Sequence, residues 1–230
     1  MLQLDLLQIF KPLLWVLPII VLIGIAKSPW FKGIIGEALV KLVAKIRLPV
    51  DIYVPIHDVT LASIHESPHR SSPLLDATSS DTTQIDHIFV SKYGIFVVET
   101  KNYKGWIFGS EKQAQWTQKL YKKSYRFQNP LRQNYKHQKA LQALLVIPLE
   151  KIHSVIAFMG EATFKTPMPK SVTRGGGYVS YIKSFRDVVF SDDEVRGLVS
   201  KIEEVRLKAG RETNKKHVAV LKAKSNMLIP

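Results

Sequence analysis

The chain has no cysteine, which excludes disulfides, cysteine-ligated zinc fingers and cysteine nucleophiles, so no zinc is expected. Acidic residues are also scarce, with 33 Lys and Arg against 19 Asp and Glu and a net charge of +14. Between Lys112 and Leu149 there is no acid at all, while eight Lys or Arg fall in those 38 residues. That segment alone supplies more than half of the net charge. Such a surface attracts polyanions, either nucleic acid or anionic lipid headgroups, or serves only as a solubilising face. No internal repeat is visible. Arg174-Gly175-Gly176-Gly177 lacks the strand-to-helix setting of a phosphate loop and reads as a flexible turn. At 230 residues the chain has room for one well-cored domain with accessories.

Pro12 to Ala26 is a run of 15 residues without a charged or strongly polar side chain. A helix that crosses lipid needs about 20 residues, and extension back to Leu2 includes Asp5, Gln8 and Lys11, which suit the interface. Trp15 and Trp30 bracket the run, as interfacial aromatics do. A cleaved signal peptide fits less well, because the start is acidic and no Ala-x-Ala site follows. The expectation is a transmembrane anchor over 1–31. Lys27, Lys32, Lys41, Lys45 and Arg47 follow it, so the positive-inside rule puts the bulk of the chain on the cytoplasmic side of a single-pass cell (inner) membrane.

Apolar residues at 34, 35, 38, 39, 42, 43 and 46 predict an amphipathic helix over 33–47, stopped by Pro49. Val50 to Ile56 predicts a strand, and the Ser-, Pro- and Thr-rich stretch 62–83 a loop. Strands are further expected at Trp106 to Phe108, Ile152 to Phe158 and Tyr178 to Ile182. A basic hairpin is expected from Trp116 to Phe127 across Tyr121-Lys122-Lys123. Asn129 and Pro130 supply an N-cap and a first helical residue for a helix to about Val146. Ser191-Asp192-Asp193-Glu194 opens a last helix with a capping box. The order predicts a mixed sheet with helices on its faces.

Gln84 to Val90 and Ile95 to Lys101 are rich in β-branched residues and are separated by only Ser91-Lys92-Tyr93-Gly94, which predicts an antiparallel hairpin. With Val90 facing Ile95, counting outward sets Asp86 opposite Glu99. Side chains paired in this way lie roughly 5 Å apart at Cβ, where like charges repel. A hard cation between the carboxylates, Mg²⁺ or Mn²⁺, removes that penalty. Lys101, two residues beyond Glu99, shares its face. Two carboxylates and a lysine so placed suit metal-assisted hydrolysis of a phosphodiester.

Gly36-Glu37, Gln84-Ile85-Asp86-His87, Val98-Glu99-Thr100-Lys101-Asn102-Tyr103, Trp116 and Asn129-Pro130-Leu131-Arg132-Gln133 occur in that order over residues 33–147. In this the sequence resembles the nuclease-related domain, or NERD, of the PD-(D/E)xK restriction-endonuclease-like superfamily. The resemblance implies an α/β fold with a restriction-endonuclease-like mixed sheet flanked by helices, an α-β-β-β-α-β core, here preceded by the N-terminal membrane helix. It implies Asp86 and Glu99 as metal ligands and Lys101 as catalytic lysine. Glu37 matches the superfamily's additional acidic residue, and Gln133 a polar position on the later helix.

The organisation expected is an anchor at 1–31, a nuclease-like core at 32–150, strands and a helix completing the domain at 151–207, and a basic tail at 208–230. The substrate expected is nucleic acid, DNA with RNA as the alternative, bound by Lys112, Lys119, Lys122, Lys123, Arg126, Arg132 and Lys136. A module that binds nucleic acid or acts as a scaffold without turnover is the competing class. A third possibility is that the Lys112–Lys139 face binds the inner membrane surface. Plainer readings stand beside these. Glu37 has Lys41 one helical turn on as an ion-pair partner. Gln133 and His137 share a helix face and need only hydrogen-bond in the core. His87 points away from Asp86 and reads as structural. Trp116, Tyr121, Tyr125 and Phe127 serve as packing before they serve as base-stacking platforms.

Overall fold

β-Branched and aromatic residues dominate 53–101, and they form three consecutive antiparallel strands. The computed structural model describes residues 17–25, 28–62 and 82–206. Two helices come first, α1 (Leu17–Ile25) and α2 (Pro29–Arg47). The strands are β1 (Tyr53–Ala62), β2 (Thr82–Ser91) and β3 (Gly94–Lys101). The β2–β3 register pairs Val90 with Ile95 and runs to His87 opposite Val98, as the hairpin predicted. Gly94 closes the turn at φ +133°, where a Cβ would strike the His153 ring; only glycine fits there.

Helix α3 (Pro130–Leu145) follows, capped by the Asn129 side chain, and leads to β7 (Ile152–Phe158), which lies parallel to β3. β9 (Val172–Arg174) adds beyond β7, giving the order β1-β2-β3-β7-β9. α2, β1, β2, β3, α3 and β7 thus realise the expected α-β-β-β-α-β succession.

A second sheet interrupts that succession. β4 (Gly105–Phe108), β5 (Gln115–Leu120), β6 (Lys123–Gln128) and β8 (Ala162–Phe164) order as β6-β5-β4-β8. The strand expected at 106–108 exists, but it belongs here and not beside the hairpin. Gly105, at φ +79°, turns the chain away from the end of β3, and a Cβ on it would lie 2.5 Å from the Lys119 carbonyl.

Burial is continuous over His87–Ser91 of β2 and Gly94–Glu99 of β3, so both faces are covered. Phe89, Phe96 and Val98 pack with Val40 and Ala44 of α2. Ile88, Val90 and Val97 pack with Leu141 of α3 and with Ile202 of the last helix, α5 (Asp192–Val205). A third cluster of Ile107, Trp116, Ile156 and Phe158 joins the two sheets. The capping box at Ser191 and Glu194 forms as expected.

Several expectations need correction. Tyr178 to Ile182 is not a strand but lies in a short helix, α4 (Gly177–Ile182). Its buried Tyr178, Val179 and Ile182 fall at helical spacing, and the Tyr178 hydroxyl donates to the Val40 carbonyl at 2.7 Å. The triple glycine does stand between a strand and a helix, the setting the sequence argued against: Gly175, at φ +52°, follows β9, and the six-residue α4 begins at Gly177. β1 starts at Tyr53, and Val50 is 71% exposed in the turn before it. Of the loop expected over 62–83, residues 62, 82 and 83 lie in strands, and 63–81 lie outside the described residues.

Among the described residues no single helix is long and apolar enough to cross a membrane. α1 and residues 30–47 reach that length and hydropathy only together, bent by 58°. Much of the anchor expected over 1–31 (residues 1–16, 26 and 27) and the whole basic tail over 208–230 lie outside the described residues. The boundary expected at residue 31 falls inside α2, which packs on the sheet.

Candidate active site

The polar cluster lies on the α3 side of the core sheet, at the end of β3. Glu99 is almost fully buried, at 3% exposure. Its Oε1 accepts a hydrogen bond from Lys101 Nζ at 2.6 Å, and the same ammonium donates to Gln133 Oε1 at 3.0 Å. Lys101 can reach Glu99 because strand side chains two apart share a face. Gln133 reaches them from the first turn of α3, whose start is fixed by Asn129. That residue caps Leu131 N and donates to the carbonyls of Ser110, Glu111 and Gln113. Asn134, beside Gln133, ties α3 to the sheet through Val97 O and Ser154 Oγ.

Asp86 comes from β2. The β2–β3 ladder stops at His87–Val98, one step before the pairing drawn from the sequence, and the Asp86 carboxylate takes over. Its Oδ2 accepts the Thr100 backbone N–H at 2.8 Å. Burial, and then the Glu99 carboxylate, push the Asp86 carboxyl well above its ordinary range, against the opposing pull of the Thr100 N–H. One edge of the residue still reaches solvent. Burial also acts on Glu99, but Lys101 and then His137 outweigh it and hold that carboxyl low. Burial would lower Lys101, yet Glu99 keeps its ammonium charged beyond the usual range.

Glu37 approaches from α2. Gly36 lets the helix come close, because a Cβ there would lie 2.8 Å from Asn102 Cβ. Asn102 in turn donates to Lys32 O at 2.6 Å. Burial and then Asp58 raise the Glu37 carboxyl, Lys41 lowers it, and Glu99 adds a smaller upward push. The ion pair of Lys41 is with Asp58, at 2.7 Å, and not with Glu37 as helical spacing allowed.

The sequence asks of His137 only a hydrogen bond in the core, and the structure brings it to Glu99. Its Nδ1 is 2.7 Å from Thr83 Oγ1 and its Nε2 is 3.4 Å from Glu99 Oε2. That second contact lacks hydrogen-bond geometry, so both atoms are buried without a hydrogen-bond partner. The signal available in the sequence was the i, i+4 spacing of Gln133 and His137. Thr83 carried no signal, since its strand was read as loop. His87 pairs with His57, Nδ1 to Nδ1 at 3.1 Å, and burial lowers it to about 3, so it is a neutral core residue.

The basic residues do not gather on one surface. Pairing of Trp106 with Lys119 and of Thr117 with Arg126 puts Lys119 and Arg126 on the outer face of the second sheet. Lys123 alternates to the other face, Lys122 lies in the turn, and Arg132 and Lys136 are on exposed positions of α3. Lys112 lies in the β4–β5 connection, where its carbonyl accepts from Arg132 at 2.6 Å. Trp116 is fully buried, stacked on Phe158, with its Nε1 donating to Ser110 O at 2.9 Å. It packs, as does Phe127, while Tyr121 and Tyr125 are exposed. Trp106, expected only as the first residue of a strand, is half exposed beneath Lys165 and Lys119, whose ammoniums lie 4.6 and 5.8 Å from its ring centre.

Gly36, Glu37, Asp86, Glu99, Lys101 and Gln133, scattered over almost 100 residues, therefore converge around one end of β3. The family model for the nuclease-related domain, NERD, matches residues 32–159. The chain belongs to the nuclease-related domain family. The match runs from α2 through β7, and so includes every residue of the cluster. A curated relative, an uncharacterized protein of Bacillus anthracis, is 39% identical over 197 residues, 84% of this chain and 85% of that one. No solved structure matches the chain significantly.

The NERD cluster can be tested as a seat for a hard cation. Among the described residues no group of three or more His, Asp and Glu side chains is disposed to hold a metal. The two-carboxylate donor set nonetheless has the chemistry of one. Among the described residues Glu99 Oε2 lacks a hydrogen-bond partner, and burial and then Glu99 hold Asp86 back from ionising. A divalent cation relieves both.

Proposed function

We propose that this NERD protein is a Mg²⁺-dependent nuclease that hydrolyses phosphodiester bonds of DNA. The observation that carries the reading is the Glu99–Lys101–Gln133 chain, rooted in the buried Glu99, beside an Asp86 carboxyl that burial and then Glu99 hold above its ordinary range. Asp86 and Glu99 would hold the cation, with Mn²⁺ as a substitute. The cation supplies the positive charge that lets a phosphate diester approach two carboxylates, and it polarises phosphorus.

The chain's own residues do the remainder. Glu99 and Gln133 hold the Lys101 ammonium charged and directed, so it can donate to a non-bridging phosphate oxygen as charge builds there. Glu99 and Gln133 take two of its three N–H donors and leave the third for the phosphate. Glu37, with its carboxyl raised, is suited to hold or accept a proton at the edge of the cluster. Lys119, Arg126, Arg132 and Lys136 offer phosphate contacts away from the reacting bond. The apolar run Pro12–Ala26, which includes α1 and is followed by lysines, supports a single-pass anchor with the domain on the cytoplasmic side.

The test is cleavage of plasmid and single-stranded DNA by the full chain in detergent, with and without Mg²⁺ or Mn²⁺. Wild type is expected to cut only with the cation. Glu99→Gln and Lys101→Ala are expected to lose at least about 10²-fold, the size of one lost stabilising group. Undiminished cutting by either variant removes the mechanism.

One observation favours a second reading. Lys101 already satisfies Glu99 Oε1, and no three-ligand cluster is formed among the described residues. A fold retained for binding nucleic acid, with its chemistry lapsed, fits that arrangement. It predicts salt-sensitive binding, unaltered in Glu99→Gln, and no turnover with any cation.

A further inference from the structure

α2 has two apolar faces, and the sheet covers only one of them. Gly36, Val40 and Ala44 point inward. The opposite side carries Ile34, Ile35, Leu39, Leu42 and Ile46, between 37% and 73% exposed. These positions recur at helical spacing and form a stripe down the full length of α2, broken only by Lys45. A helix of a folded domain does not ordinarily leave such a stripe in water.

Three features say what covers it. The stripe continues across the bend into α1, whose large apolar side chains are all exposed, from Leu17 to Ile25. The exposed charges of α2 itself are of one sign, Lys32, Lys45 and Arg47, while its one acid, Glu37, is half-buried within reach of Glu99, and the neighbouring Asp58 is neutralised by Lys41. Under the last turn lies a cleft of about 610 Å³ whose apolar lining includes Ala44, Pro55 and Phe89, with Lys45 and Arg47 also lining it and Lys41 there paired with Asp58. An apolar lining with cationic residues in it suits an amphiphile with an anionic head.

We infer that α2, a helix of the nuclease core itself, lies in the plane of an anionic membrane with its outer stripe among the acyl chains. α2 packs on one face of the core sheet and α3 on the other. The sheet therefore stands between the bilayer and the cluster at Glu99. Docked in this way, the domain presents its site and the basic part of α3 away from the lipid, where a polyanion can reach them. The inference rests on the membrane location proposed above and goes beyond it, because an anchor on a free tether leaves the domain's orientation open.

The absence of cysteine allows a direct test. Leu42→Cys and Ile46→Cys, with Glu111→Cys as a distant control, are labelled in the full chain with an environment-sensitive fluorophore. Each is reconstituted into vesicles of neutral lipid with or without 30% phosphatidylglycerol, again with brominated acyl chains. Expected are blue-shifted emission and at least about twofold quenching by bromolipid at 42 and 46, stronger with the anionic lipid, and neither at 111. Vesicle-bound protein whose labels at 42 and 46 stay in water overturns the inference and leaves the anchor standing. Labels that are shielded but unquenched, with self-transfer between copies, overturn it in favour of a second copy on the stripe. Protein that fails to float with vesicles overturns both.

Discussion

Asp86 carries the clearest consequence of putting two carboxyls at one end of a ribbon. Its native acidity is weakened relative to the ordinary value of 3.8, so the unfolded chain ionises more readily than the folded one. The group therefore costs nothing at low pH. The cost grows as pH rises from 3.8 and is complete above the raised native value. Asn keeps the acceptor for Thr100 N–H and removes the charge. Asp86→Asn is expected to stabilise the metal-free protein at pH 7 by about 1 kcal/mol, with the gain vanishing below the ordinary carboxyl range. Thermal melts across pH check this, and a destabilised variant at pH 7 refutes it. In wild type, saturating Mg²⁺ or Mn²⁺ at 100 times Kd is expected to add about 2.7 kcal/mol, whereas Asp86→Asn gains little. Gains equal in both proteins would place the cation elsewhere.

At the scale of elements, Gly36 shows how a backbone position serves the site. A methyl there would meet Asn102 Cβ at 2.8 Å, so α2 would have to move off the end of β3. Gly36→Ala is expected to cost about 1–3 kcal/mol through overpacking, and to shift the pH profile of any activity by displacing Glu37. An unchanged melt would show that the helix has room to yield. Trp116 separates packing from recognition in the second sheet. Trp116→Ala is expected to lose about 3–5 kcal/mol of stability. Tyr125→Ala, at a 48% exposed position, is expected to leave the melt within about 0.5 kcal/mol of wild type. Equal melts for both would contradict the buried stack on Phe158. The element-scale reading of sequence succeeded where local chemistry is strong: the β2–β3 turn, the Asn129-Pro130 start, the capping box and β7. It failed at α4, because Tyr178, Val179 and Ile182 suit a strand as well as a helix and only the contact with Val40 decides between them.

Across the whole molecule, the excess of basic residues is spread over separate surfaces. Lys119 and Arg126 share the outer face of the second sheet, whereas Arg132 and Lys136 ride on α3. If DNA spans these surfaces, each phosphate contact contributes about 0.9 to the slope of log affinity against log salt. Lys119→Ala and Arg126→Ala are each expected to lower that slope by about 1 without altering sequence preference. A slope unchanged in both would remove the second sheet from the binding surface.

The amino-acid order alone determined the hairpin register and the shared face of Glu99 and Lys101, since strand pairing and alternation are local rules. It also determined the family, through motifs that need no coordinates. Only the tertiary structure decided that His137 arrives at Glu99 and Gln133 at Lys101, that Lys41 binds Asp58, that residues 105–108 start a separate sheet, and that α2 has a second apolar face which no other described residue covers. Each of these is a choice between partners that the sequence makes equally available. The choice falls to whichever packing buries the most apolar surface while leaving the fewest charges unpaired.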